Sequence, residues 1–383
     1  MFSTPGVSFD SLRSSHRGII GIISMGDMGS GIARLLVAHR YAVITNCTGR
    51  SSDTINRANQ AGAHLVTSDQ DLLHADLILS IVPPRDAYAT AERIVFAVSS
   101  SSSDLKEHKT LYFADLNAVS PATVRSISSI LPTSPSSSTS SPNFTIKFID
   151  GAILGGPPSL ASSIPVGRPI PPHRRPPSSD SPPPEWNKPS IPTSGPHDFS
   201  SIFSEEPNHL PVVLNAKHIS PDIGAASGLK MTFASLSKGY AAIAVQAATT
   251  ARNLGVLDHL KSSLREIMGE AAENKFEKAV TGMAPKAGRW VREMEEIAAT
   301  HQVDGGLEPT IFLGAAEVFR TVAEDTVLGE EKIGKRNRGT TAEDVGAAIT
   351  EGLLEKKRKG SGEEKKEEWT SEPETAPGHL SSS

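Results

Sequence analysis

The stretch from Gly18 to Arg40 constrains the chain most. It holds a short apolar run, IIGIIS, a glycine-rich turn, and then GIARLLVAHR, in which Ile32, Leu35, Leu36 and His39 return at helical spacing. That order reads as strand, turn, helix. YAVIT follows, then a polar stretch with helical potential, then HLVT. ADLILSIVPP comes next, and its unbroken apolar stretch suits a strand buried on both faces. Such alternation builds a parallel, doubly wound sheet. LYFADL and TIKFIDGAIL are further strand candidates, separated by a serine-rich loop around 131–142 that is expected to lack structure.

From Gly224 to Leu254 the pattern changes to one long, alanine-rich helix in which Leu229, Phe233, Leu236, Tyr240 and Ile243 recur every three or four residues. Helical patterns follow at 257–279, 285–301, 309–327 and 341–355, with almost no strand signal. The expected fold class is therefore α/β, an N-terminal Rossmann-type doubly wound parallel sheet followed by an all-α C-terminal domain. The expected division is a disordered start at 1–17, a sheet domain at 18–223, a helical domain at 224–355 and a disordered charged tail at 356–383. Half of the 28 prolines fall between Pro157 and Pro196. Proline removes ladder donors, so a disordered Pro/Ser-rich insertion is expected at about 157–188.

Composition narrows the function. A chain of 383 residues that is 37% hydrophobic can bury two cores, and a net charge of -5 without a basic face argues against nucleic acid as a partner. Cys47 is the single cysteine, which rules out an internal disulfide framework and points to a reducing compartment. No run approaches the roughly 20 apolar residues of a membrane span, and residues 1–17 lack the apolar run of a secretory signal, so a cytoplasmic setting is expected. The 12 histidines are scattered without ligand spacing, and no nucleophile elbow, phosphate loop or zinc helix occurs. No metal is expected.

The chemistry centres on GIISMGDMGSG. A dinucleotide pyrophosphate needs close backbone and a facing helix N-terminus, which Gly26 and Gly29 are placed to supply. Read against G-x-G-x-x-G, Ser24 stands where the first glycine belongs. Ser24, Met25, Gly26, Asp27, Met28 and Gly29 are the candidate cofactor residues of this turn. At the end of the second strand the chain reads NCTGRSS. No carboxylate is present there to take ribose hydroxyls, while Arg50 and Ser51 could clasp a 2′-phosphate. This favours NADP over NAD, unless Arg50 simply points into water.

These residues resemble the β-hydroxyacid dehydrogenases, and within them a subgroup with a 6-phosphogluconate dehydrogenase C-terminal-like domain. GIISMGDMG is similar to the family's opening fingerprint. SIVPP at 80–84 resembles the segment passing under the nicotinamide end, which implicates Val82, Pro83 and Pro84. DLNAVSP at 115–121 and DGAILGG at 150–156 resemble the substrate-side motifs, GAASGLKMTFASLSKG at 224–239 the catalytic-lysine helix, and WVREMEEIAAT at 290–300 the second domain.

The resemblance implies an NADP-dependent oxidoreductase that transfers hydride between nicotinamide and a small hydroxy acid or its oxo form. Lys230 would be the acid/base, an amine whose pKa burial can lower. It also implies a homodimer. Asn117, Gly155 and Gly156 are the candidate substrate residues, Asn117 as an amide donor and the glycines either as N–H donors or as a close turn. Phe233 and Leu154 depart from the family's usual pattern, and substrate grip should differ accordingly. Lys238, two turns beyond Lys230, is expected at the surface. Two other readings stay open: a non-catalytic NADP-binding sensor or scaffold, and an imine reductase on the same fold, whose members usually lack the lysine.

Overall fold

The computed structural model describes residues 8–101, 108–132, 144–161, 185–332 and 335–369, with side chains to residue 359. It divides into two compact units, Met1–Phe233 with Ala299–Glu308, and Ala234–Ala298 with Pro309–Ser383.

The first unit is built on an eight-stranded sheet. In chain order its strands are β1 (Ile19–Ile23), β2 (Ala42–Asn46), β3 (His64–Val66), β4 (Leu77–Ser80), β5 (Lys109–Asp115) and β6 (Phe144–Gly151). A short ribbon of β7 (Ser159–Leu160) and β8 (Trp186–Asn187) comes next, then β9 (Ile191–Ser194) and β10 (Ala216–Ser220) return to the sheet. The spatial order is β10-β9-β6-β5-β4-β1-β2-β3. All neighbours run parallel except β6 and β9, which pair antiparallel at Asp150 and Gly151. The chain leaves β1 towards β2 and β3, then crosses back to lay β4 on β1's other side. That reversal opens a crevice beyond the carboxyl ends of β1 and β4, where open α/β sheets bind their ligands.

Alternation along the strands explains why both faces are covered. Ile20 and Ile22 face one core with Leu35, Leu36 and Tyr41, whereas Ile19 and Ile23 face the other with Ile78, Ile94, Phe113 and Phe148. Full burial of each such side chain is worth about 1.5–3 kcal/mol.

Four expectations are corrected. The start at 1–17 was expected without order, yet Phe9–Ser15 is a helix capped by Ser8. It is tied down by buried Leu12, by Arg13 on Asp76 (2.7 Å), and by Phe9 stacked on His74. The proline-rich stretch was expected to form no ladder, but β7 and β8 pair at its two ends; residues 162–184 lie outside the described residues. So do 133–143 of the serine-rich loop. β9 and β10 escaped the sequence reading because IPTS is only four residues long and carries Pro192. The tail was expected to lose structure after residue 355, but the helix Ala342–Trp369 runs on through the Lys/Glu run. The Lys and Glu residues on either side of Gly360–Gly362 have good helix propensity, and Glu355 and Lys359 form an i,i+4 pair.

The second unit is helical. The pattern read at 257–279 is two helices, Leu257–Met268 and Glu270–Met283, divided at Gly269, whose φ of +89° few other residues adopt. The helix Ala225–Asn253 buries its alanine face: Ala234, Ala241, Ala244 and Ala248 are buried, while Leu236 and Ile243 are 77% and 64% exposed. Lys238, expected at the surface, is 9% exposed and ion-paired to buried Glu293, with Trp290 beside it.

Candidate functional site

All the candidate residues lie in the first unit, most of them on the segments that follow β1, β2, β4, β5 and β6, and Lys230 on the helix that follows β10. After β1 the chain turns sharply at Ser24, whose φ of +80° puts a non-glycine residue in the left-handed region. This is the position where the fingerprint has glycine, and the backbone keeps glycine's shape there despite the serine. Met25 is buried in the core, Met28 packs partly against it, and Asp27 is exposed. Gly29 has no alternative, because a Cβ there would come within 2.0 Å of the Ser24 carbonyl oxygen.

Gly26 is different. It is the N-cap of the helix Asp27–Ala38, and a Cβ on it would meet nothing nearer than the Ser24 hydroxyl at 4.0 Å. Protein packing does not require a glycine there, whereas an approaching ligand would. Among the described residues no side chain caps this helix, so its first-turn N–H groups face the crevice without a capping oxygen. Together these features fit the pyrophosphate of a dinucleotide.

Beyond β2, Arg50 and Ser51 are both exposed on the loop before the helix Ser52–Gln60. Ser51 is the N-cap of that helix, its hydroxyl accepting from the Thr54 N–H and lying 3.1 Å from the Thr54 hydroxyl. Arg57, which the sequence reading passed over, reaches back from the same helix. Its Nε donates to the Met25 carbonyl (2.9 Å) and its Nη2 to Thr54 (3.1 Å). Nothing in the motif marks it; only the fold brings residues 25 and 57 together. Nearby Cys47 is buried, and burial pushes its thiol up, away from any nucleophilic role at neutral pH.

After β4, Val82 is half-buried and Pro83 exposed, while Pro84 is buried at the start of a 3-10 turn and turned into the protein. Asn117 is corrected in role. Its two amide hydrogens go to the Ser80 hydroxyl (3.0 Å) and Asp115 Oδ2 (2.8 Å), and its Oδ1 accepts the Val82 N–H (2.7 Å). The expected donor to substrate is a strap that holds the segment after β4 to the end of β5. Asp115 beneath it is fully buried, and burial with the help of Asp150 raises its carboxyl to about 7, against the pull of the Asn117 hydrogen bonds.

The penultimate residue of β6 is Asp150, directly across from Asp115. Its carboxylate is buried and takes four hydrogen bonds: the hydroxyls of Ser194 (2.7 Å) and Ser227 (2.6 Å), and the N–H groups of Gly224 (2.8 Å) and Ser227 (3.3 Å). Burial is the larger influence and raises its pKa. Asp150 thus pins the start of the helix Ala225–Asn253 to the sheet, with Ser194 relaying to Ala226 N–H (2.9 Å). This clamp too was missed, since Ser194 lies in the unrecognised β9.

The pinned helix carries Lys230, half-buried, whose Nζ donates to the Ile153 carbonyl at 2.7 Å. Ile153 leads into Leu154, bridged to Ser190, and then to Gly155 and Gly156, both exposed. Gly155 has φ +128° with Pro189 against it, so a turn requires it; at Gly156 a Cβ would meet nothing within 4 Å. Pro157 and Pro158 then pack on Gly31 of the fingerprint helix, where a Cβ would come within 3.0–3.1 Å of both. The glycine turn and the segment holding Lys230 are thus brought to the same end of the sheet.

Residues 19–105 match the family model described as NADP oxidoreductase, coenzyme F420-dependent, and residues 251–322 match a domain of unknown function (DUF1932). No curated protein matches the chain. Among solved structures, it is similar to a conserved protein of unknown function reported as structurally similar to 3-hydroxyacid dehydrogenases (22% identity, 79% of this chain and 97% of that one, TM-score 0.51). It is also similar to a 3-hydroxyisobutyrate dehydrogenase from Salmonella typhimurium (17%, 87% and 99%, 0.50). A third similar structure is Psf3 in complex with NADP+ and 2-OPP (16%, 79% and 93%, 0.51).

The fold is that of the 3-hydroxyacid dehydrogenases. An NADP-oxidoreductase-type segment followed by a second matched segment in the helical part is consistent with the β-hydroxyacid dehydrogenase resemblance. Among the described residues, no group of three or more His, Cys, Asp or Glu could hold a metal ion, and no helix is long and apolar enough to cross a membrane.

Proposed function

We propose that this chain is an NADP-dependent oxidoreductase that moves a hydride between nicotinamide and a small hydroxy acid or its oxo form. The observation that carries the reading is the uncapped helix start at Gly26, at the switch point of a sheet whose other flank presents Lys230 on the Ile153 carbonyl. The description of the matched family and the NADP+ complex of the similar Psf3 support the choice of cofactor. The turn Ser24–Gly29 and the segment after β4, through Val82 and Pro83, would hold NADP, with Arg50 and Ser51 toward its 2′-phosphate, while buried Pro84 shapes that segment from beneath. When bound, the cofactor accepts or supplies the hydride.

The chain's own residues would do the rest. Lys230 takes the hydroxyl proton as the carbinol C–H electron pair departs, and returns it in the reverse direction. Its hydrogen bond to the Ile153 carbonyl orients the amine. Gly155 and Gly156 offer N–H groups to a substrate anion, and Gly156 leaves open space beside them. A lysine at this point speaks for an alcohol or ketone substrate over an imine.

In this reading residues 18–223 serve the cofactor and 224–355 form the helical domain. The protein acts as a homodimer in the cytoplasm. The charge-free outer face of the helix Ala225–Asn253, with Leu236 and Ile243 exposed, supports self-association. Turnover of NADPH on a panel of oxo acids tests the proposal. Lys230→Ala should lose ~10²–10⁴-fold in kcat while cofactor affinity stays unchanged. Intact turnover in that variant sinks the lysine mechanism, and cofactor binding without turnover of any substrate favours a sensor or scaffold.

A further inference from the structure

The Ser24 backbone is held in a conformation that glycine adopts freely and serine does not. An unassisted serine at φ +80° would tend to relax, and any relaxation would move the carbonyl against which Gly29 is packed. One side chain from outside the turn grips it. Arg57 Nε donates to the carbonyl of the adjoining residue, Met25, at 2.9 Å, and Nη2 donates to Thr54, which is itself hydrogen-bonded to the Ser51 cap. The guanidinium is planar, so anchoring one edge on Thr54 fixes the direction of the Nε–H bond that reaches Met25. Met25's own side chain is 1% exposed in the core, which leaves its carbonyl little freedom to follow a different partner.

We infer that Arg57 is a positioning residue for the dinucleotide turn, compensating for the serine that replaces the fingerprint's first glycine. This rests on the dinucleotide reading of the turn. Arg57 acts on the cofactor through the Met25 carbonyl. Its effect therefore falls on the pyrophosphate cradle, common to NADPH and NADH, and is separable from the discrimination assigned to Arg50.

The test is a double-mutant cycle between Arg57→Met, which keeps the aliphatic stem, and Ser24→Gly, read by cofactor titration and by thermal unfolding of the protein without cofactor. Arg57→Met alone should weaken NADPH and NADH together by about tenfold, the factor that accompanies ~1.4 kcal/mol, leaving their ratio unchanged. In the S24G background the same substitution should weaken binding by no more than about twofold, and its drop in Tm should shrink in parallel. Selective loss of NADPH would show that Arg57 meets the 2′-phosphate, and equal losses in both backgrounds would show that it does not hold the strained turn; either overturns the inference. If neither wild type nor variants bind a dinucleotide, the function proposed above fails. The Tm cycle still decides whether Arg57 and Ser24 are coupled.

Discussion

Around β1 and β2 the site is made of backbone shape and exposed side chains, whereas around β5 and β6 it is made of buried polar side chains with their hydrogen bonds filled. Gly26 and Arg50 on the first flank touch little of the protein, and the exposed Ser51 bonds within its own helix turn, to Thr54. Asp115, Asn117 and Asp150 on the second are 0%, 3% and 0% exposed, Asn117 bonded to Ser80, Val82 and Asp115 and Asp150 to Ser194, Gly224 and Ser227. The first flank is left available for a ligand. The second is committed to holding chain segments in place, with Gly155 and Gly156 exposed beside it and Lys230 half-buried on the Ile153 carbonyl. The difference predicts that changes on the second flank act mainly on stability, and that changes on the first act mainly on binding.

The largest effect should come from Asp150→Ala. It leaves two buried hydroxyls and two helix N–H groups without their acceptor, at an expected cost of about 4 kcal/mol in urea unfolding. A cost below about 1 kcal/mol would erase the contrast between the flanks. Gly29→Ala is the exception on the first flank. The 2.0 Å approach to the Ser24 carbonyl forces the turn to move, for about 3 kcal/mol and loss of dinucleotide binding, checked by thermal melting and titration together.

A smaller effect sharpens the picture through pH. The Asp115 carboxyl is raised by burial to about 7, from an ordinary value of 3.8. Its contribution to stability is fully present below about pH 4 and is lost as pH rises through about 7. The stability of wild type relative to Asp115→Asn should therefore fall by about 2 kcal/mol between pH 5 and pH 8. Taking the difference between the two proteins removes the opposing titration of His64, His74, His197 and His209, whose values burial lowers. An unchanged difference would mean that Asp115 stays ionised across this range.

The same contrast explains what could be read from the sequence. The first flank is local: residues 19 to 29 are one strand, one turn and one helix start, and periodicity with glycine spacing exposes them directly. The strands β1 to β6 carried the same kind of local signal. The second flank is assembled from segments 44 to 77 residues apart, joining Asp150 to Ser194, Gly224 and Ser227. No spacing rule connects such residues. Asn117 was singled out because it stands where the family resemblance places a substrate contact, but its bonds to Ser80 and Val82 tie it to another strand and the segment after it, which no local pattern announces. The long helix misleads in another way: its bulky residues recur at core spacing, yet the alanines do the packing. Arg57 was invisible because its partner is a backbone carbonyl, which has no residue identity to recognise.

In this reading the crevice beyond β1 and β4 binds NADP through the glycine turn and the Arg50 loop. It is tested most directly by titrating the purified protein with NADPH and NADH, following nicotinamide fluorescence, alongside Arg50→Ala. Saturable NADPH binding is expected, with weaker NADH binding and a loss of about tenfold in Arg50→Ala for NADPH alone, which corresponds to ~1.4 kcal/mol for one exposed charge-assisted contact. Failure of the wild-type protein to bind either nucleotide would contradict it.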